Sequence, residues 1–195
     1  HGAATGVSLK IPVEAVFTRF KLILPSLEKI GVIYGKATDP ALIAEAREAA
    51  AALNMELVEE SVGHPDEVPG AYRRIRTDIH ALWMVPDPGV VTADNFSYLS
   101  RRARKEGVAF FAFSENFVRA GALLSVSPSY ETMGSQAAVL MERLLAENEP
   151  PPVQTPLGSK LVINAETAGV LGLDLNATTL SMADLVVGRP QKEDR

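Results

Sequence analysis

Three short loops hold the side chains best suited to chemistry on a small polar molecule. Tyr34, Gly35 and Thr38 lie in Tyr34-Gly35-Lys36-Ala37-Thr38, Asp87 in Pro86-Asp87-Pro88-Gly89, and Ser114 and Glu115 in Ser114-Glu115-Asn116. They offer hydroxyls, carboxylates, an aromatic ring and the amides that begin helices. A carboxylate at Asp87 or Glu115 suits an ammonium group, and the helix-start amides near Thr38 suit a carboxylate. Each residue also has a purely structural reading as a turn former or helix cap.

Other chemistries find little footing. The histidines are His1, His64 and His80, and His80 leads straight into an apolar run; no Gly-x-Ser-x-Gly turn is present, so a Ser-His-Asp site is not expected. There is no cysteine, which removes disulfides, thiol nucleophiles and thiolate zinc sites. Gly35-Lys36-Ala37-Thr38 is too short a match for a phosphate-binding loop. His64-Pro65-Asp66 reads as a helix start, and Ser26-Leu27-Glu28-Lys29 has the spacing of a serine-lysine pair without the Lys-Thr-Gly box that accompanies it. Asn95-Phe96-Ser97 and Asn176-Ala177-Thr178 fit a glycan acceptor pattern that is frequent by chance. Arg101 to Lys105 is basic, but it falls late on a helix where cations suit the dipole. The expectation is a non-enzymatic domain with no metal and no cofactor. Net charge is −5, so nucleic acid is not an expected partner.

The elements that must position these loops follow from periodicity. Short β-branched runs at 30–34, 56–60, 81–85, 108–113, 123–126 and 160–163 alternate with segments of helical period, the pattern of a parallel sheet with helices on both faces. The expected fold class is α/β, Rossmann- or flavodoxin-like. Flavodoxin-like order would put the switch point between the first and third strands, at the loops after Tyr34 and Val85, with the loop after the fourth strand nearby. The longest amphipathic helix runs from Tyr130 to Glu147, and the prolines from Pro150 to Pro152 then enforce an extended connector. At 195 residues, 47% hydrophobic and 22% charged, the chain has ordinary globular composition.

The spacing of several segments is similar to a known family. Thr5-Gly6-Val7-Ser8, Ile11-Pro12-Val13-Glu14, the run from Leu24 to Tyr34, Ser114 to Ala122, Tyr130 to Gly134, Leu161 to Asn164 with Thr167-Ala168 and Leu171-Gly172-Leu173, and Met182 to Val186 resemble substrate-binding proteins of ABC importers with the type I periplasmic-binding fold. The branch with tryptophan- and phenylalanine-binding members is the nearest. This resemblance implies two lobes joined by three crossovers, a small-molecule ligand clamped between them, an ABC permease as partner and a periplasmic or extracytoplasmic location; the alternatives are a ligand-sensing domain of a signalling protein and, behind that, an enzyme on a flavodoxin-like sheet. By resemblance the crossovers are Thr5 to Ser8, Asn116 to Ala122 and Thr155 to Ser159, and a first lobe is expected before Thr5. The segments are then 1–8 as a crossover, 9–115 as the ligand-binding lobe, 116–158 as an arm returning to the other lobe with its connector, 159–187 as the end of the lobe and 188–195 as a tail. The apolar stripe of the 130–147 helix is expected to pack on a second copy of the chain or to fold back onto its own sheet.

Overall fold

The computed structural model describes residues 5–147 and 151–188. His1, Pro150 and the end of the tail lie outside the described residues. In chain order the elements are α1 (Val13–Ile23), β1 (Lys29–Tyr34), α2 (Pro40–Ala52), β2 (Glu56–Ser61), α3 (Val68–Ile75), β3 (Ala81–Trp83), α4 (Ala93–Glu106), β4 (Ala109–Ala112), α5 (Glu115–Arg119), β5 (Leu124–Pro128), α6 (Tyr130–Glu147), β6 (Ser159–Asn164), α7 (Ala165–Val170), α8 (Ala177–Ser181) and β7 (Leu185–Val187). They form a seven-stranded sheet in the order β2-β1-β3-β4-β5-β6-β7. Every pairing is parallel except β5 with β6. The order reverses between β1 and β3, where the flavodoxin-like expectation placed it.

Both sheet faces are covered, which is why the central strands read as unbroken apolar runs. Ile30, Val32, Ala81, Trp83, Ala109 and Phe111 face α1 and α2. The alternate residues Ile33, Leu82, Met84, Phe110 and Ala112 face α3 and α4. Gly31, inside β1, lets α3 and its following turn approach closely: a Cβ there would stand 2.8 Å from Ile79 Cδ1 and 3.1 Å from Ile75 Cδ1. We therefore expect Gly31→Val to destabilise the domain by about 1–3 kcal/mol through overpacking. Urea midpoints would read this, and a change below about 0.5 kcal/mol, the scale of a surface substitution, would refute the close packing.

The arm departs from expectation in three ways. Its strand, β5, does not leave the lobe but lies inside this sheet, with β4 on one side and β6 on the other. Residues 116–122 accordingly form α5 and a turn between two strands of one sheet rather than a crossover. The reason is in β5 and the residue before it: Leu123, Leu124, Ser125 and Val126 are all buried, so burial is gained where the strand stands. Third, α6 does not fold back onto the sheet. Among the described residues of the helix Gln136 and Leu140 are buried, while Met141 and Leu145 are 55% and 76% exposed.

Candidate functional site

The loops at the carboxyl edge converge on Asp87, which is 1% exposed. Its Oδ2 accepts the Gly35 N–H at 2.9 Å and the Thr38 hydroxyl at 2.5 Å, and its Oδ1 accepts the Gly89 N–H at 2.7 Å. Burial pushes this carboxyl up, but the bonds from the Thr38 hydroxyl and from nearby main-chain amides outweigh it and hold the group below the usual carboxylate range. Asp87 thus staples the loop after β1 to the loop after β3, and its oxygens face protein donors rather than an incoming ammonium group. The start of α2 is satisfied in the same internal way. Pro40 has no N–H, and the Asp39 side chain accepts from Ala41 N at 2.9 Å.

Tyr34, Gly35, Thr38 and Asp87 are brought together, but the Tyr34 hydroxyl turns away and donates to Glu59 at 3.2 Å. Ser114 and Glu115 form a separate group at the end of β4. Ser114 occupies the cap position of α5 without a side-chain capping bond. Glu115 bridges Lys160 at 2.8 Å and Arg119 at 2.6 Å, and these two cations hold its carboxyl below the ordinary range.

A cavity of about 460 Å³ opens beside these loops, along the carboxyl ends of β3, β4 and β5. Its wall is largely apolar: Ile11, Val13 and Val16 around the start of α1, Leu42 of α2, Trp83 and Met84 of β3 and its continuation, Ala112 and Phe113 at the end of β4, and Val126 of β5, with Tyr130 at the rim. Lys10 and Asp39 are its charged members. Lys10 is engaged by Glu45 at 2.7 Å, and the other Glu45 oxygen accepts the Val13 N–H at 2.8 Å, anchoring the start of α1. An apolar cavity of this size with few polar groups has the dimensions and lining of small-molecule pockets. None of the six residues picked out from the sequence lines it. The signal that could have found it was the aromatic pair at the strand ends, Trp83 and Phe113, opposite Ile11 and Val13.

A wider and more open groove of about 600 Å³ lies at the opposite edge of the sheet, lined by His80, Arg76, Glu106, Leu171 and others. Glu106 is paired there with Arg102 at 3.1 Å and with Arg76 at 3.6 Å. Ligands of open α/β sheets meet the carboxyl ends of the strands, so the cavity beside the switch point is the candidate site. Among the described residues no cluster of His, Asp or Glu is arranged to hold a metal, and no helix is long and apolar enough to cross a membrane.

Comparison with known proteins agrees with this architecture. The family described as ABC transporter substrate binding protein matches residues 2–187. No curated relative matches the chain. A conserved domain protein from Vibrio cholerae is 28% identical with a TM-score of 0.74, over 94% of this chain and 62% of its own. CD0873 of Clostridium difficile, a substrate-binding protein with adhesive properties in its ligand-free open form, is 20% identical with a TM-score of 0.78, over 95% of this chain and 63% of its own. An ABC domain from Streptococcus pneumonia in complex with L-Trp is 21% identical with a TM-score of 0.73, over 94% of this chain and 64% of its own. The chain therefore spans less than two thirds of the length of these neighbours. By its family match and its sheet, it belongs to the ABC transporter substrate-binding proteins of the type I periplasmic-binding fold.

Proposed function

We propose that this chain supplies one jaw of a small-solute clamp in an ABC importer, working outside the cytoplasm and handing its ligand to a membrane permease. The reading is non-catalytic. The carrying observation is the apolar cavity at the carboxyl edge beside the β1/β3 switch point. The ligand class is an amino acid or a similar small solute. The lining sharpens this: Trp83, Phe113, Leu42 and Val126 favour a bulky apolar side chain, since each buried CH₂ of the ligand contributes about 0.8 kcal/mol. The L-Trp complex of a neighbour with the same fold makes aromatic amino acids the first to try. Asp87 enters as the staple that shapes the two loops, while Glu115 is held in ion pairs with Lys160 and Arg119 outside the cavity lining.

Trp83 is the only tryptophan in the chain and lies in the cavity wall, so its emission reports on the site directly. We expect L-phenylalanine to change Trp83 emission saturably and to raise the thermal midpoint, with about 2.7 kcal/mol of added stability at a hundredfold excess over Kd. Leu42→Glu places a charge in the wall from a half-buried helix position and is expected to weaken binding about tenfold or more, equivalent to at least about 1.4 kcal/mol. If no amino acid stabilises the protein or moves Trp83 emission, the ligand assignment is wrong.

A further inference from the structure

We infer that Gln136 is a positioning residue for ligand capture: its buried side-chain amide ties α6 to the two chain segments that lead into the cavity walls. The inference rests on the binding role proposed for that cavity. Gln136 is 7% exposed and lies outside the cavity lining. A buried amide is costly unless its hydrogen bonds are made. Here Nε2 donates to Gln154 Oε1 and to the Thr155 carbonyl, each at 2.9 Å, and Oε1 accepts the Leu157 N–H at 3.2 Å. Both donor hydrogens are used, and all three bonds reach the 154–157 segment rather than the helix that carries the side chain.

From that segment the tie runs on to both walls. Gln154 donates its N–H to the Gly6 carbonyl at 2.9 Å and its carbonyl accepts the Ser8 N–H at 2.8 Å, a parallel bridge centred on Val7. Ser8 Oγ in turn accepts the Lys10 N–H at 3.0 Å, and Leu9, Lys10 and Ile11 begin one wall. On the other side the Gly158 carbonyl accepts the Ser129 N–H at 3.0 Å, and a Cβ on Gly158 would stand 2.8 Å from Thr132 Oγ1. Ser129 sits between the wall residues Pro128 and Tyr130. One glutamine thus sets the spacing of two segments far apart in sequence. A leucine of similar size would fill its space but make none of the three bonds.

Amide hydrogen exchange on Gln136→Leu and Gln136→Glu tests this, with Leu82 and Phe110 in the central strands as internal controls. In Gln136→Leu, exchange at Ser8, Lys10 and Leu157 is expected to rise about tenfold or more while the controls hold. Gln136→Glu keeps an acceptor for Leu157 but loses both donors, so Leu157 stays protected while Ser8 and Lys10 accelerate. Affinity for L-phenylalanine, read from Trp83 emission, is expected to fall about tenfold in both variants, about 1.4 kcal/mol. Unchanged exchange at Ser8 and Lys10 would overturn the inference, as would equal acceleration at the controls, which marks general destabilisation. If the wild type fails to bind L-phenylalanine, that ligand assignment falls, and the exchange pattern alone decides whether Gln136 positions the walls.

Discussion

Replacing Asp87 by alanine is expected to lower the unfolding free energy by about 3 kcal/mol. The substitution leaves the Gly35 and Gly89 amides and the Thr38 hydroxyl without their acceptor. A buried donor stranded in this way costs roughly 1–3 kcal/mol, and charge-assisted bonds lie at the upper end. Gly35, Thr38 and Gly89 are themselves only half-buried, so water recovers part of the loss and the total stays below the sum. Asp87→Asn keeps one acceptor oxygen but turns an NH₂ toward a donor, and about 2 kcal/mol is expected. The pH dependence has a definite sign. Because the folded carboxyl titrates below its ordinary value, its contribution is complete above the unfolded value of about 3.9 and is lost as pH falls through the folded one. The gap between wild type and Asp87→Asn should therefore be full at pH 7 and shrink at pH 3, as measured by urea unfolding at each pH. If Asp87 instead served to receive a ligand ammonium group, Asp87→Ala would keep its stability and lose binding alone, which would sink the staple reading.

The sheet was legible because its signal is local. Ala81 to Val85 and Val108 to Phe113 are continuous apolar runs, as strands buried on both faces must be, and the helices between them carry clear stripes. The switch point followed from the flavodoxin-like order. What local pattern could not supply was direction over distance. Asp87 reads as a free carboxylate in a turn until Gly35 and Thr38, 52 and 49 positions away, arrive with their donors. The cavity likewise depends on the height at which α1 rides over the sheet, set by ring contacts between Phe17 and Trp83 that no spacing encodes. β7 carries no sequence signal because Leu185–Val187 is too short to show a period; it is held by Asp184, whose carboxylate accepts the Leu161 N–H at 2.7 Å and whose own N–H donates to the Leu161 carbonyl at 2.9 Å. The place of β5 depends on distant partners in the same way: resemblance assigns it to another lobe, while in this sheet it is buried and paired with β4 and β6.

Phe20→Ala is expected to cost about 3–5 kcal/mol, the larger of the two effects, because the ring is fully buried and its removal leaves a cavity. Its centroid lies 4.2 Å from Phe111 of β4 and 5.8 Å from Phe17, whose ring meets Trp83 edge-on at 5.0 Å. Three aromatic contacts in series thus fasten α1 to β3 and β4, two of the three strands that end at the cavity. Removing the Phe20 ring leaves a void between α1 and the sheet and takes support from Phe17. A fall in Tm of roughly 6–20 °C follows, at about 2–4 °C per kcal/mol for a chain of this size. Phe20→Leu keeps much of the volume and should cost under about 1.5 kcal/mol if the neighbours repack. Function should follow the same division. Val13 and Val16 of α1 line the cavity, so the alanine variant should bind L-phenylalanine more weakly and show a red-shifted Trp83 emission as water gains access, while the leucine variant stays near wild type. A loss below about 1 kcal/mol in Phe20→Ala would mean that α1 is not seated on the sheet, because no docked helix of this design gives up a buried phenylalanine so cheaply. With stability lost but emission and affinity unchanged, the cavity wall would be independent of the aromatic stack, and the placement of the ligand against α1 would have to be abandoned.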